Sequence, residues 1–131
     1  IAPEAVVSVA DRLVAIGCQE LSIGDTIGKA TPEEVERLLD LLLPRFGAER
    51  LALHFHDTFG RAIANVERSA AMGITVFDAS AGGLGGCPYA PGASGNVSTQ
   101  ALVDLFGQQT GVDRAALDLA SAIVQPYLTG S

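Results

Sequence analysis

A chain of 131 residues, 48% of them apolar, can bury a core and reads as one globular unit rather than a disordered segment. Its net charge of −7 repels a phosphate backbone and no basic stripe offsets it, which excludes nucleic acid as a partner. A small anionic substrate stays admissible where local positive charge or a metal offsets the field. No apolar run approaches the roughly 20 residues that span a bilayer, so a soluble protein with no membrane partner is expected.

Ala5, Val6, Val9, Leu13, Val14 and Ile16, with Pro3 ahead and Gly17 behind, predict an amphipathic helix. Residues 20–25 follow as a short buried strand. Thr31 is an N-cap, Pro32 suits the first helical position and Glu34 completes a capping box. Val35, Leu38, Leu39 and Leu42 line the buried face of the helix that follows. Leu51 to His56 is the next strand, Ala62 to Met72 the next helix, closed by Gly73, and Ile74 to Ser80 a third strand. A helix near Ser98 to Phe106 comes after it. A last helical pattern from Val112 to Leu128, with Asp113 as its cap, is expected to cover the exterior or bottom of the fold.

Asp25-Thr26-Ile27-Gly28-Lys29-Ala30 recurs as Asp57-Thr58-Phe59-Gly60-Arg61-Ala62, about one strand-loop-helix unit later. Val35-Glu36-Arg37 recurs as Val66-Glu67-Arg68 in the same way. Strands alternating with helices at this spacing predict parallel strands, the material of an open α/β sheet or a (β/α)₈ barrel. Function in either architecture gathers at the C-terminal ends of the strands, where Asp25 and His56 fall. A closed eight-stranded barrel usually takes about 250 residues, so the fold class expected is the C-terminal part, about half, of such a barrel. Residues 1–131 are then a single partial domain without its N-terminal strands. The chain opens at Ile1 inside a helical pattern, so the true N-terminus and any targeting peptide are expected to lie upstream.

His54 and His56 are the only two histidines in the chain. Placed at i and i+2 of a strand, they point the same way and can share one cation. Nitrogen or thiolate co-ligands would favour zinc; carbonyl, carboxylate and water would favour magnesium or manganese. Asn96 is a candidate third ligand through its side-chain carbonyl, although Ser94-Gly95-Asn96 also reads as a turn. The run Gly82 to Asn96 holds six glycines and two prolines, and carries Cys87. That composition predicts a loop whose backbone can approach a ligand closely. With no adjacent Lys or Arg, a protonated Cys87 acting as general acid is easier to defend than a thiolate nucleophile. Cys18 reads as a packing residue. Two cysteines are too few for a disulfide framework and suit a reducing compartment, so a cytoplasmic location is expected. The glycine run is no dinucleotide fingerprint, because Cys87 and Pro88 stand where glycine is required. Asp25 and Asp57 close their strands as ligands, bases, orienters of imidazole N–H groups, or caps of the turns that follow; Asp78 is a weaker candidate of the same kind.

Gly24-Asp25-Thr26-Ile27-Gly28, His54-Phe55-His56-Asp57-Thr58-Phe59-Gly60 and the run Ala81 to Asn96 resemble the hydroxymethylglutaryl-CoA lyases over nearly the whole chain. The His-x-His-Asp strand alone would indicate the wider superfamily that includes isopropylmalate and homocitrate synthases; the glycine run is more specific. The resemblance implies a (β/α)₈ barrel and a Mg²⁺ or Mn²⁺ ion held by His54, His56 and Asn96. It also implies an acyl-CoA substrate, 3-hydroxy-3-methylglutaryl-CoA, cleaved to acetyl-CoA and acetoacetate. Cys87, Asp25 and His54 are the catalytic residues it implies. A homodimer is expected.

Two departures from the family pattern stand out. An Arg-Asp-Gly-Leu-Gln segment, which brings a metal-binding aspartate in the family, is missing from this sequence, and Gln100 stands where many relatives carry glutamate. A modest effect is expected of the second. The rival readings are a related metal-dependent synthase acting on a 2-oxo acid and a non-catalytic, self-associating half-barrel. A zinc amidohydrolase fits less well, because no histidine follows His56.

Overall fold

Three of the apolar segments become strands of one parallel sheet: β1 (Leu21–Asp25), β2 (Leu51–Phe55) and β3 (Val76–Asp78), side by side in that order. The computed structural model describes residues 1–85 and 95–128. The register sets Leu21 opposite Leu51 and Ala52 opposite Val76. Between and after the strands run α1 (Pro3–Ala15), α2 (Pro32–Phe46), α3 (Ala62–Ala71), α4 (Thr99–Phe106) and α5 (Arg114–Leu128). Among the described residues no helix is long and apolar enough to cross a membrane.

Alternation along the strands gives the sheet two unlike faces. Leu51, Leu53 and Phe55 are buried in a core shared with Val35, Leu39, Leu42 and Phe46 of α2 and Val66 of α3. Burying side chains of this size stabilises the fold by about 1.5–3 kcal/mol each. The opposite face carries Ser22, Gly24, Ala52, His54, Val76 and Asp78. There the Ser22 hydroxyl reaches across β2 and donates to the Asp78 carboxylate at 2.9 Å.

Local signals decide where helices start. Thr31 Oγ1 accepts from the Glu34 N–H while the Glu34 carboxylate accepts from the Thr31 N–H, the reciprocal box the sequence predicts. Asp113 Oδ1 accepts from the N–H groups of Ala115 and Ala116 and so caps α5 as expected. That helix lies against α4 and the 3₁₀ turn Ala81–Gly83, at the C-terminal end of β3 rather than at the bottom of the sheet.

Two elements differ from expectation. β3 is shorter than Ile74 to Ser80, because the Ile74 N–H closes the end of α3 on the Ser69 carbonyl and Ser80 pairs with Ser98 instead of β2. The apolar stripe of α1 is only partly covered: Ala10 is buried, yet Val9 is 55% and Ile16 79% exposed. α1 lies beside the outer edge of β1, where a cleft of about 1130 Å³ opens between α1, β1 and α2.

The sequence repeat is a repeat of structure. In each copy a glycine N–H bonds back to the aspartate carbonyl, Gly28 to Asp25 at 3.2 Å and Gly60 to Asp57 at 3.0 Å. Both glycines are left-handed, with φ of 68° and 67°. The copies differ in packing. A Cβ on Gly28 would stand 2.8 Å from the His56 carbonyl oxygen, whereas one on Gly60 would meet nothing within 4 Å. Gly60→Ala is therefore expected to cost about 1–2 kcal/mol from backbone strain, and Gly28→Ala a further 1–3 kcal/mol, roughly, from overpacking. Urea unfolding of the two variants measures the difference; equal losses would mean that the two loops do not pack as described.

Candidate functional site

His54 lies near the C-terminal end of β2, half-buried, with Gly24 and Asp78 as its register partners on either side. Gly24 leaves it room, since a Cβ there would lie 3.8 Å from His54 Cδ2. The His54 and His56 rings meet edge to face, their centroids 5.0 Å apart.

His56 lies one residue past β2 and is 8% exposed. Its Nδ1 is 3.0 Å from the main-chain carbonyl oxygen of Asp25. A carbonyl only accepts, so Nδ1 carries the proton and Nε2 keeps its lone pair for a ligand. The carboxylate of Asp25 is engaged elsewhere: its two oxygens accept the N–H groups of Lys29 and Ala30 at 3.1 and 3.0 Å. Asp25 thus caps its turn with its side chain and orients the imidazole with its backbone. Asp57 repeats the cap, its Oδ1 accepting from the Ala62 N–H at 3.0 Å.

Asn96 is brought to the histidines by main-chain pairing. The Asp57 N–H donates to the Gly95 carbonyl at 3.2 Å and the Val97 N–H to the Phe55 carbonyl at 3.0 Å, which sets Asn96 antiparallel to His56. Asn96 Nδ2 donates to the Leu84 carbonyl at 2.9 Å. A carbonyl partner requires the NH₂ end there, so Oδ1 is the end left for a cation. The packing at this point is tight: a Cβ on Gly95 would overlap the carbonyl oxygens of Gly85 and Gly83. Cys87 lies outside the described residues, whose two ends on either side of it, Gly85 and Gly95, meet beside Asn96.

The structure therefore gathers His54, His56 and Asn96. Two imidazoles and an amide oxygen suit a divalent cation, but all three are neutral. Among the described residues no group of three His, Cys, Asp or Glu side chains could hold a metal ion.

Sequence reasoning missed the part Gln100 plays. Its Oε1 accepts from the Gly82 N–H at 2.9 Å and its Nε2 donates to Ser121 Oγ at 2.5 Å, with Asp118 3.5 Å away. Ser121 has its own proton on the Leu117 carbonyl, so it can only accept from Gln100. An ionised glutamate has no donor for that contact. Gln100 ties the start of the glycine run to α5. Contacts spanning 18 and 21 residues leave no mark in local sequence pattern.

Parallel strands joined by helices, with the polar cluster at the strands' C-terminal ends, define this chain as part of a (β/α)₈ barrel of the kind whose chemistry sits on that rim. A sequence model of the HMGL-like family matches residues 1–123, and the chain belongs to that family. It is 52% identical over 120 residues to the hydroxymethylglutaryl-CoA lyase of Pseudomonas mevalonii, a match that takes in 89% of this chain and 40% of that protein. The crystal structure of the HMG-CoA lyase from Brucella melitensis superposes with a TM-score of 0.92 at 47% identity, over 97% of this chain and 46% of that one. An HMG-CoA lyase from Acinetobacter baumannii, solved in complex with coenzyme A and 3-methylmalate, gives a TM-score of 0.85 at 37% identity, over 99% of this chain and 43% of that one. The chain thus spans less than half the length of these relatives.

The contact at Gly95 generates a prediction. Gly95→Ala is expected to push the ends of the glycine run apart and cost about 1–3 kcal/mol of stability. The same change should weaken Mn²⁺ binding by calorimetry, because Asn96 leaves its place beside His56. Unchanged stability together with unchanged Mn²⁺ affinity would separate Asn96 from the site.

Proposed function

We propose that this chain forms the C-terminal part of an enzyme that cleaves 3-hydroxy-3-methylglutaryl-CoA to acetyl-CoA and acetoacetate by a retro-Claisen reaction assisted by Mg²⁺ or Mn²⁺. The observation that carries the reading is the meeting of His54, His56 and Asn96 at the point where the glycine run bearing Cys87 begins and ends, in a chain of the HMGL-like family. His54, His56 and Asn96 would hold the divalent ion, which when bound would supply Lewis-acid polarisation that makes the substrate's tertiary hydroxyl proton easier to remove.

Asp25 receives that proton on this reading. Each of its oxygens holds one main-chain N–H, which fixes the carboxylate and leaves further lone pairs open. His54 serves in proton movement as well as in binding. As the hydroxyl oxygen becomes a ketone, the bond to the acetyl-CoA carbon breaks and its electron pair stays with that carbon. The Cys87 thiol then protonates it. No Lys or Arg stands between Gly82 and Asn96 to favour the thiolate, which suits an acid role. Cys18, a free thiol, fits a reducing cytoplasm.

The second reading, a self-associating half-barrel, is favoured by the free β1 edge and by exposed Val9 and Ile16, which a homodimer would bury. Sedimentation mass distinguishes it, a stable monomer counting against it.

The protein at its full encoded length is expected to release acetoacetate from 3-hydroxy-3-methylglutaryl-CoA only with added Mg²⁺ or Mn²⁺. Cys87→Ser should lower kcat by about 10²–10⁴-fold, the usual share of a positioned proton donor, with little change in KM. His56→Ala should weaken Mn²⁺ binding as well as turnover. No release from folded, metal-loaded protein would transfer the site to a related reaction on a 2-oxo acid. Residues 1–131 alone are expected to show little or no turnover, and to regain it when the barrel strands they lack are supplied in trans; strong activity of the isolated chain would refute the need for those strands.

A further inference from the structure

The start of α4 holds the segment after β3 at two points. The Thr99 N–H donates to the Ser80 carbonyl at 2.8 Å, and Gln100 Oε1 accepts from the Gly82 N–H at 2.9 Å. The 3₁₀ turn Ala81–Gly83 closes around them, with the Gly83 N–H on the Ser80 carbonyl at 3.1 Å and the Leu84 N–H on the Ala81 carbonyl at 3.3 Å. The Leu84 carbonyl comes next along the chain. It accepts from Asn96 Nδ2 at 2.9 Å and so leaves Oδ1 for a cation.

Each role in the hold on Gly82 is forced. A main-chain N–H only donates, so the carbonyl end of the Gln100 amide faces Gly82 and its NH₂ end faces Ser121 Oγ, 2.5 Å away. The Leu117 carbonyl takes the Ser121 proton at 3.0 Å. Hydrogen bonds that run one way, from Gly82 through Gln100 and Ser121 to Leu117, polarise one another, and Ser121 is only 8% exposed. A glutamate at position 100 would break that direction, since the Ser121 hydroxyl would have to leave Leu117 to meet it. It would also stand beside Asp118, which lies 3.5 Å from Gln100 Nε2. Asp104 and Asp118 already share the guanidinium of Arg114, so a third carboxylate there is poorly offset.

We propose that Gln100, held by Ser121 of α5, is a positioning residue for the cation site: it sets the turn Ala81–Gly83 and, through the Leu84 carbonyl, the Asn96 amide. The proposal rests on the reading of Asn96 as a ligand in the reaction above. It deepens that reading by extending control of the site to α5, a helix that contributes no ligand to it.

Two readouts on the full-length protein test it: Mn²⁺ affinity by calorimetry, and the side-chain ¹⁵N amide resonance of Asn96 in metal-free protein, assigned with Asn96→Asp. Gln100→Glu is expected to move the resonance and to weaken Mn²⁺ about tenfold, the low end for a group behind a ligand. Adding Asp118→Asn should recover part of both effects. Gln100→Ala, which releases Gly82 altogether, should gain nothing from Asp118→Asn. Ser121→Ala should weaken Mn²⁺ about threefold, as fits one net hydrogen bond, and it replaces Gln100→Glu if that variant melts below wild type. An unmoved Asn96 resonance overturns the positioning role, as does a moved resonance with Mn²⁺ affinity unchanged from a wild type that binds the ion. Equal relief of Gln100→Glu and Gln100→Ala by Asp118→Asn marks a general effect on the fold and overturns it too. A moved resonance in a protein whose wild type binds no Mn²⁺, or releases no acetoacetate, sustains the hold on Asn96 and refutes the metal or the lyase reading. An unmoved resonance with metal-dependent acetoacetate release does the reverse.

Discussion

The Val97 N–H bonded to the Phe55 carbonyl, and the Asp57 N–H bonded to the Gly95 carbonyl, fix where the candidate ligands stand. Two net backbone hydrogen bonds are worth only about 1 kcal/mol each, so they cannot hold a strained approach of two segments. Nothing bulkier than a hydrogen at Gly95 can be accommodated, because the Gly83 and Gly85 carbonyls already fill that space. The absence of one side chain therefore sets Asn96 against His56. From there the Leu84 carbonyl turns the amide and the Asp25 carbonyl turns the imidazole, so main-chain groups orient both donors.

A second layer of order comes from the repeat. Three groups in and beside the later copy donate to carbonyls of the earlier one: His56 to Asp25, Arg61 to Lys29 and Asn65 to Ala30. Asn65 is fully buried, so its bond is sheltered from water, while the bond from Arg61 is exposed. The buried end sits by α3 and the exposed end at the rim. This grading gives a rigid base under loop tips that remain reachable from solvent.

Much of this was legible in the sequence because it depends on neighbours a few residues apart. The capping box at Thr31, the cap at Asp113, the paired turns after Asp25 and Asp57, and the two histidines at alternate strand positions are all local patterns. The identity of the orienting group was not local. Asp25 read equally as ligand, base, orienter or turn cap; its carboxylate caps the turn and its carbonyl does the orienting. Asn96 also read as a turn residue, and only its long-range pairing with His56 shows that it stands beside the histidines. The helical period of α1 was right, but period alone cannot tell a covered stripe from one left open at a sheet edge, and Val9 and Leu13 lie on the open part. Gln100 stood out only as a departure from the family pattern, and its contacts gave no local signal, since its partners belong to another helix and another turn.

The neutral donor set and the open edge are linked on the proposed reading. Imidazole and amide donors bring no charge against a hard divalent ion, and such ions are ordinarily held with at least one carboxylate. Asp25 and Asp57 already accept the N–H groups that shape their turns, and one oxygen of Asp78 takes the Ser22 hydroxyl on the sheet face. On that reading a further strand supplies the charge. β1 is the strand whose outer edge carries the uncovered apolar stripe of α1 and the wide cleft beside it. Extending the sheet there would cover Val9 and Leu13 and could deliver an acidic side chain to the rim in one step. The driving force for assembly would then be apolar burial, with metal affinity following from the carboxylate it brings.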